Sequence, residues 1–398
     1  MAPLGRRISG NLWRGTGFFV IWLAIPALAA ACYYLLAIVS ATQWRKSMIR
    51  PDAGSWMPPL SVLKPVHGRD PRFYEAILSH AAQQYPEFEL LFGLTNPHDP
   101  AIADVQRLQR EFPSRHIEIV LVETDAPNAK VGVLAELARR ARYSLLLVND
   151  SDIVVAPGYF QTVVAPLHDP QIGLVTCLYR AHSESWASHF EALGIATEFA
   201  PSVLVARLLG QAEFALGSTM VFRADALCRI GGFPSIAQYV ADDYQLGYHI
   251  KQLGYRIEFA PVVVETDLGA ESWTNTWRHQ LRWSRTIRVS RPAGYYGYVV
   301  THATLWALVA FAAQQWWAGA ITLLVRMVAG VMIGSAILKD RGVLARFWLI
   351  PLRDLFGFAV WAAGAFGNRV QWRDRSLILQ PGGIIQSPIR QPNPIGRD

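Results

Sequence analysis

The stretch YSLLLVNDSDI (residues 143–153) decides the fold. Its apolar run Leu145-Leu146-Leu147-Val148 has no polar alternation, the pattern of a strand buried on both faces of a parallel sheet. The run breaks off into Asn149-Asp150-Ser151-Asp152. Two carboxylates therefore stand where a buried strand ends, at the edge where open α/β sheets bind ligands. Alternation along the chain aims Asp150 and Asp152 to one side. Hard oxygen donors in that position suit Mg²⁺ or Mn²⁺, which completes its octahedron with substrate phosphates. The structural alternative is a turn or helix cap, which Asp and Ser also favour.

Working outward, SVLKPV (61–66), FELLFGLTN (88–96), IEIVLVE (117–123) and IGLVTCLYR (172–180) read as further strands. PRFYEAILSHAAQQ after Asp70 and AIADVQRLQREF after Asp99-Pro100 read as the helices between them. Strand, helix, strand repetition predicts an α/β domain with a Rossmann-like, mostly parallel sheet covered on both faces. Neither a G-x-G-x-x-G fingerprint nor a G-x-x-x-x-G-K-[ST] loop occurs, which removes the main support for hydride transfer and P-loop chemistry.

A second acidic pair, Ala241-Asp242-Asp243-Tyr244, opens the helical pattern YQLGYHIKQLG. Acids at a helix start complement its dipole, and either of them can equally serve as a general base. Ala215 to Met220 and Ile230 to Phe233 supply small residues where backbone can approach a substrate, or simply turn. The following segment, ESWTNTWRHQLRWSRTIRVSR (271–291), is a cationic, tryptophan-rich helix with Arg278, Arg282 and Arg285 on one face. Guanidinium forks match phosphate oxygens, and the same helix suits a membrane interface.

Both ends of the chain are membrane-like. Of 398 residues 52% are hydrophobic and 17% charged, against about 25% charged in soluble domains. The net charge of +7 is too diluted by apolar sequence to indicate nucleic-acid binding. Cys32, Cys177 and Cys228 form neither a disulfide framework nor a cysteine zinc site. Residues 15–44 carry no charge and read as a retained anchor helix; residues 292–325 are likewise uncharged. Gln314 to Gly319 reads as an interfacial turn dividing 298–338 into two crossings, with Arg326 inside the second. Arg326 then serves either a polar headgroup or a buried carboxylate. The block Phe347 to Gly367, interrupted by Arg353-Asp354, crosses or re-enters. Basic residues flank the first helix on both sides, so charge alone gives no orientation. The expected organisation is an anchor (1–45), an α/β domain (55–270), an interfacial helix (271–292), membrane helices (293–368) and a tail (369–398).

In order and spacing, SVLKPVHGRDP, FGLTNPHDPAI, NDSDI, VADDYQLG and HQLRW resemble the membrane-bound family-2 glycosyltransferases of the GT-A fold, most closely their ceramide glucosyltransferase-like branch. The resemblance covers nearly the whole chain. Within that branch VTCLYR (175–180), FAPSVLVARLLG (199–210) and WRHQLRWSRTIR (277–288) are most similar to the hopanoid-biosynthesis glycosyltransferases.

The resemblance implies that Asp150 and Asp152 hold the metal and donor diphosphate, with Asp152 the direct ligand, and that Asp243 is the catalytic base. It places Arg282 and Trp283 on the last two positions of a [QR]-x-x-R-W motif at the diphosphate and acceptor. Lys64, Pro65 and Lys130 match positions around the nucleotide, and Asp242 and His279 fall among the substrate-binding positions. Two departures stand out: Asn96 replaces an aspartate that faces the nucleotide, with Asp99 nearby, and His279 replaces the leading Gln or Arg of the motif. The implied enzyme is an inverting, Mg²⁺- or Mn²⁺-dependent hexosyltransferase in the cytoplasmic membrane. It is multi-pass, with its catalytic domain in the cytoplasm, and carries sugar from UDP-N-acetylglucosamine to a hydroxylated hopanoid in the bilayer. Ceramide with UDP-glucose is the alternative, and a catalytically inactive lipid-binding protein a further one.

Overall fold

The computed structural model describes residues 22–47, 56–372 and 375–386. The leading flank of the anchor, with Arg6, Arg7 and Arg14, and the end of the tail from residue 387 lie outside the described residues. Helix α1 (Ala24–Ser47) is followed by β1 (Leu60–Pro65), α2 (Phe73–Ala81), β2 (Phe88–Leu94), α3 (Ala101–Glu111), β3 (His116–Leu121), α4 (Ala129–Arg140), β4 (Leu145–Val148), α5 (Tyr159–Val164) and β5 (Ile172–His182). Next come α6 (Trp186–Gly194), α7 (Ala200–Leu208), β6 (Met220–Arg223), α8 (Ala224–Arg229), α9 (Asp242–Gln252) and β7 (Arg256–Asp267). The chain ends in α10 (Trp273–Ser290), α11 (Pro292–Gly297), α12 (Ala303–Ala312), α13 (Trp316–Met332), α14 (Arg341–Arg346), α15 (Ile350–Gly364), β8 (Arg369–Trp372), β9 (Arg375–Leu379) and β10 (Ile385–Gln386).

The first seven strands form one sheet in the order β3-β2-β1-β4-β6-β5-β7. β4 is central, and all four of its residues are buried, as its unbroken apolar run requires. Leu145 and Leu147 enter the core on one face, Leu146 and Val148 that on the other. Only β6 runs antiparallel, to β4 on one side and β5 on the other. β6 and β7 carry little sequence signal: β6 is four residues long, and β7 contains Pro261. The proline is tolerated because the pairing with β5 slips there, between Thr176 opposite Phe259 and Leu178 opposite Val263.

Several boundaries differ from the sequence reading. α2 starts at Phe73, not at Pro71, because Asp70 is engaged elsewhere: Ser151 Oγ donates to Asp70 Oδ2 at 3.0 Å. The segment 298–338, read as two crossings, holds one helix of span length among its described residues. Among the described residues, Ala24–Lys46 and Trp316–Ile337 are the helices long and apolar enough to span. At 1.5 Å per residue, the 10 residues of α12 reach about 15 Å and the 15 of α15 about 22 Å, against a hydrocarbon core of about 30 Å. Gln314, in the left-handed region at φ 58°, makes the turn between α12 and α13.

Arg326 pairs with a carboxylate. Its Nη2 donates to Asp354 Oδ1 at 2.6 Å, Nε lies 3.0 Å from Oδ2, and the guanidinium sits over the Tyr34 ring at 4.6 Å. The charges that interrupt the last apolar block are thus partners for buried groups, since Arg353 similarly meets Glu198 at 3.3 Å. α1 joins this bundle to the α/β domain, with Ser40 Oγ donating to Leu204 O on α7 and Thr322 Oγ1 donating to Ala27 O.

The segment read as a tail contains strands at Arg369–Trp372, Arg375–Leu379 and Ile385–Gln386. β10-β9-β8 form a small antiparallel sheet; Gly383 O beside it accepts from Val240 N at 3.0 Å, and Ile385 N of β10 donates to Gln238 O at 2.8 Å. It holds the loop that leads into Asp242-Asp243.

Candidate active site

The chain leaves β4 at Val148 and turns, so Asp150 and Asp152 are not carried by strand alternation. Each is fixed separately. Asp150 Oδ1 accepts from Lys130 Nζ at 2.7 Å, and its main-chain carbonyl accepts from Lys64 Nζ at 3.2 Å. Asp152 Oδ2 accepts the Thr266 hydroxyl and, at 3.2 Å, the Asp267 amide, both at the end of β7. One oxygen of each carboxylate accepts no hydrogen bond from the described residues. Burial, then the neighbouring Asp150 charge, pushes Asp152 up to about 6. Lys64 is wholly buried beneath the turn, and burial brings its ammonium down to about 7 against the pull of Asp152 and Asp150. Its role in this geometry is to support the Asp150 main chain from below. Pro65 ends β1 opposite Gly93.

The second acidic pair approaches from α9. That helix can lie against the segment before β6 because residue 247 is glycine: a Cβ there would stand 2.6 Å from Ala215 N. The approach brings Asp243 Oδ2 to the Gly217 amide at 3.0 Å, while Oδ1 accepts the Tyr244 amide at 2.7 Å. Burial and then the Asp242 charge push Asp243 up to about 6. Gly217 is the hub of the crevice. A Cβ on it would lie 3.3 Å from Asp150 Oδ2, 3.4 Å from Asp243 Oδ2 and 3.8 Å from Lys130 Nζ. Lys130 also reaches Asp242 at 3.5 Å, and these carboxylates raise its ammonium above the ordinary lysine range despite burial.

Helix α10 begins at Ser272, whose hydroxyl accepts the Asn275 amide at 3.2 Å. His279 Nδ1 meets buried Glu191 Oε1 at 2.6 Å, and its ring packs on Trp283 at 4.6 Å between centroids. Trp283 in turn meets the Phe199 ring and packs against the cluster of Ala181, Ala192 and Ile195, as do Tyr179 and Leu268. Arg282, half-buried, stands on the same helix. The expectation that the arginine face of this helix meets phosphate oxygens needs correcting for Arg285, and Arg288 one turn on behaves in the same way. Arg285 donates to Phe366 O and Arg369 O, and Arg288 to Gly367 O, so both hold the loop after α15.

Asn96 is exposed at the end of β2, its Oδ1 accepting the His98 amide at 2.9 Å. Asp99 is engaged locally, its two oxygens accepting the Gly68 and Ala101 amides at 2.7 and 2.9 Å.

Tyr179, on β5, was not singled out in the sequence. Burial, then the charges of Asp243, Glu191, Asp150 and Asp152, raise its phenol above the ordinary range. Its only sequence signal was the polar end of an otherwise apolar strand, VTCLYR.

Among the described residues no three His, Cys, Asp or Glu side chains converge into a metal cage. A cation in this crevice would rest on the uncommitted oxygens of Asp150 and Asp152, with phosphate and water completing the shell. That donor set fits Mg²⁺ or Mn²⁺.

A seven-stranded sheet of this order, with carboxylates turning out of its central strand, defines a GT-A-type glycosyltransferase fold. The chain belongs to Glycosyl transferase family 21, whose sequence profile matches residues 22–385. It is 27% identical over 233 residues to ceramide glucosyltransferase 3 of Caenorhabditis elegans, covering 56% of this chain and 50% of that protein. It is 22% identical over 259 residues to the probable glycosyltransferase YdaM of Bacillus subtilis, covering 64% and 59%. The chain thus spans about half the length of the curated relatives it matches. Among solved structures, the mannosyltransferase PcManGT from Pyrobaculum calidifontis, determined with GDP-Man and Mn²⁺, superposes with a TM-score of 0.53 at 19% identity, over 86% of this chain and 97% of that one. That likeness is one of fold.

Proposed function

We propose that this protein transfers a sugar from a nucleoside diphosphate sugar to a hydroxyl of a membrane lipid, with inversion at the anomeric carbon. The observation that carries the reading is the apposition of Asp150 and Asp243 across Gly217, which puts a diphosphate-side carboxylate and a base on one small crevice. Asp243 takes the proton of the lipid hydroxyl as its oxygen bonds to the anomeric carbon. The bond from that carbon to the diphosphate oxygen breaks, and its electron pair leaves with the nucleoside diphosphate. The two backbone amides on Asp243 fix the carboxylate in place, and its raised pKa puts the base close to neutral working pH. Mg²⁺ or Mn²⁺ on Asp150 and Asp152 supplies neutralisation of the departing diphosphate when bound; the Mn²⁺ in PcManGT supports this. Arg282 adds positive charge to the leaving group. Trp283 and Tyr179 line the acceptor side.

The hopanoid-branch resemblance supports UDP-N-acetylglucosamine as donor and a hydroxylated hopanoid as acceptor. The ceramide glucosyltransferases among the relatives favour a second reading, ceramide with UDP-glucose. On either reading the donor is soluble and the acceptor lies in the bilayer. The α/β domain therefore faces the cytoplasm at the inner membrane, between an N-terminal anchor (1–45) and the C-terminal helices (293–368).

The test is lipid mass spectrometry on cells with and without the chain, paired with purified protein in detergent given a panel of UDP-sugars. A new glycolipid mass identifies donor and acceptor together. Turnover without divalent metal overturns the Asp150/Asp152 assignment. Asp243→Asn is expected to lose at least about 100-fold in turnover while still binding donor, and near-normal turnover removes Asp243 as base.

A further inference from the structure

A cavity of about 540 Å³ opens between the ends of β5 and β7 and the loop that follows the span-length helix α13, outside the crevice described above. Its wall is cationic: Arg180, Lys339, Arg341 and Arg346 line it, together with His182 and His189. The two carboxylates on the wall are already engaged. Glu265 is shared by Arg72 at 2.8 Å and Arg180 at 2.9 Å, and Asp340 accepts the Gly342 amide at 2.8 Å as the cap of α14. Lys339, Arg341 and Arg346 stand within salt-bridge distance of no carboxylate among the described residues, although the Arg346 charge acts on Asp340 through space. Burial, then the charges of Arg346 and His182, hold His189 below the ordinary imidazole range, as expected in a positive field.

The position is membrane-proximal. The apolar span Trp316–Ile337 ends two residues before Lys339. The elements that form the cavity carry exposed apolar side chains, Leu344, Phe347 and Trp348 on and after α14 and Trp186 at the start of α6. Tryptophan beside clustered arginine is the composition of a headgroup-level belt. Arginine forks and a lysine around a cavity of this size match phosphate oxygens.

We infer that this cavity binds the phosphate group of an anionic membrane lipid. The inference is independent of the sugar-transfer reading, since none of the cations used here belongs to the Asp150–Asp243 crevice.

The test uses the full chain in nanodiscs of phosphatidylcholine alone or with phosphatidylglycerol, with native mass spectrometry of retained lipid. Phosphatidylglycerol should be retained preferentially. The triple variant Lys339→Ala, Arg341→Ala, Arg346→Ala should lose that preference, at roughly fivefold per charge removed. Because none of the three side chains is within salt-bridge distance of a carboxylate among the described residues, and Arg346 acts on Asp340 only through space, the variant should keep an unfolding midpoint close to wild type. If the triple variant does not fold, Arg341→Gln alone is read instead, with roughly a fivefold loss expected. A control removes Arg110, Arg139 and Arg229 from distant exposed positions and should keep the preference. Equal loss in the control means general surface charge and overturns the site. Displacement of the lipid by inorganic phosphate assigns the cavity to a soluble anion, displacement by UDP assigns it to the donor, and either overturns the lipid.

Discussion

Lys130 Nζ lies 2.7 Å from Asp150 Oδ1 and 3.5 Å from Asp242 Oδ2, one ammonium joining the two acidic motifs across the crevice. Its charge also lowers the pKa of Asp243. Lys130→Met should therefore move the acid limb of the pH–rate profile to higher pH, by roughly one unit. An unmoved limb with reduced turnover would show that Lys130 acts on substrate alone.

The wild-type profile has a predictable sign. Asp243 and Asp152 are both raised to about 6, above an unfolded value of about 3.9. Turnover needs Asp243 ionised and should fall as pH drops through 6. The folded state holds the protons of these two carboxylates more tightly, so their stabilising contribution is full below about pH 4 and lost as pH rises through 6. Between pH 7 and 5 kcat should decrease while the contribution of these groups to the unfolding midpoint increases. The second half is read by comparing wild type with Asp152→Asn, whose midpoint should be less pH-dependent over that interval.

Gly217→Ala tests the crevice directly. The added methyl meets two carboxylate oxygens at 3.3 and 3.4 Å, close enough to take their space from substrate without striking backbone. Turnover should fall at least tenfold, about 1.4 kcal/mol in barrier, with an unfolding midpoint close to wild type. A fully active variant would mean that the reacting groups do not meet over Gly217.

Asn96→Asp should be structurally silent, because the side-chain oxygen that accepts the His98 amide is retained. Calorimetry with UDP should show equal or tighter binding. A large loss would mean that the pocket is organised around the neutral amide.

Arg326 and Asp354 are wholly buried partners. Asp354→Ala leaves an uncompensated cation and should cost about 3–5 kcal/mol, whereas Arg326→Leu with Asp354→Leu should recover most of it. Thermal unfolding in detergent separates the two outcomes.

The parallel core was legible because burial on both faces writes itself into consecutive apolar residues, as in Leu145 to Val148. The two acidic motifs were legible as residues, since carboxylates at the end of a buried strand or the start of a helix are conspicuous. Their mutual placement was not. Asp150 and Asp243 are 93 positions apart, and what brings them together is the docking of α9 through Gly247, the strand reversal at β6, and the clamp of 382–385 on the loop before α9. The small C-terminal sheet escaped notice because four- and five-residue strands are too short for alternation to mean anything outside their packing.

The arginines divide the same way. By itself the sequence determined that this chain has membrane-grade apolar blocks around an α/β domain with few, positioned carboxylates, because hydrophobic burial and strand periodicity are local properties of a chain. Only the tertiary structure decided what each charge is for. Arg326 neutralises Asp354, Arg285 and Arg288 hold carbonyls, and Lys339, Arg341 and Arg346 are left over a cavity. The worth of a charge is set by what lies within a few ångströms of it and by how much water remains there, and neither is encoded by its neighbours in sequence.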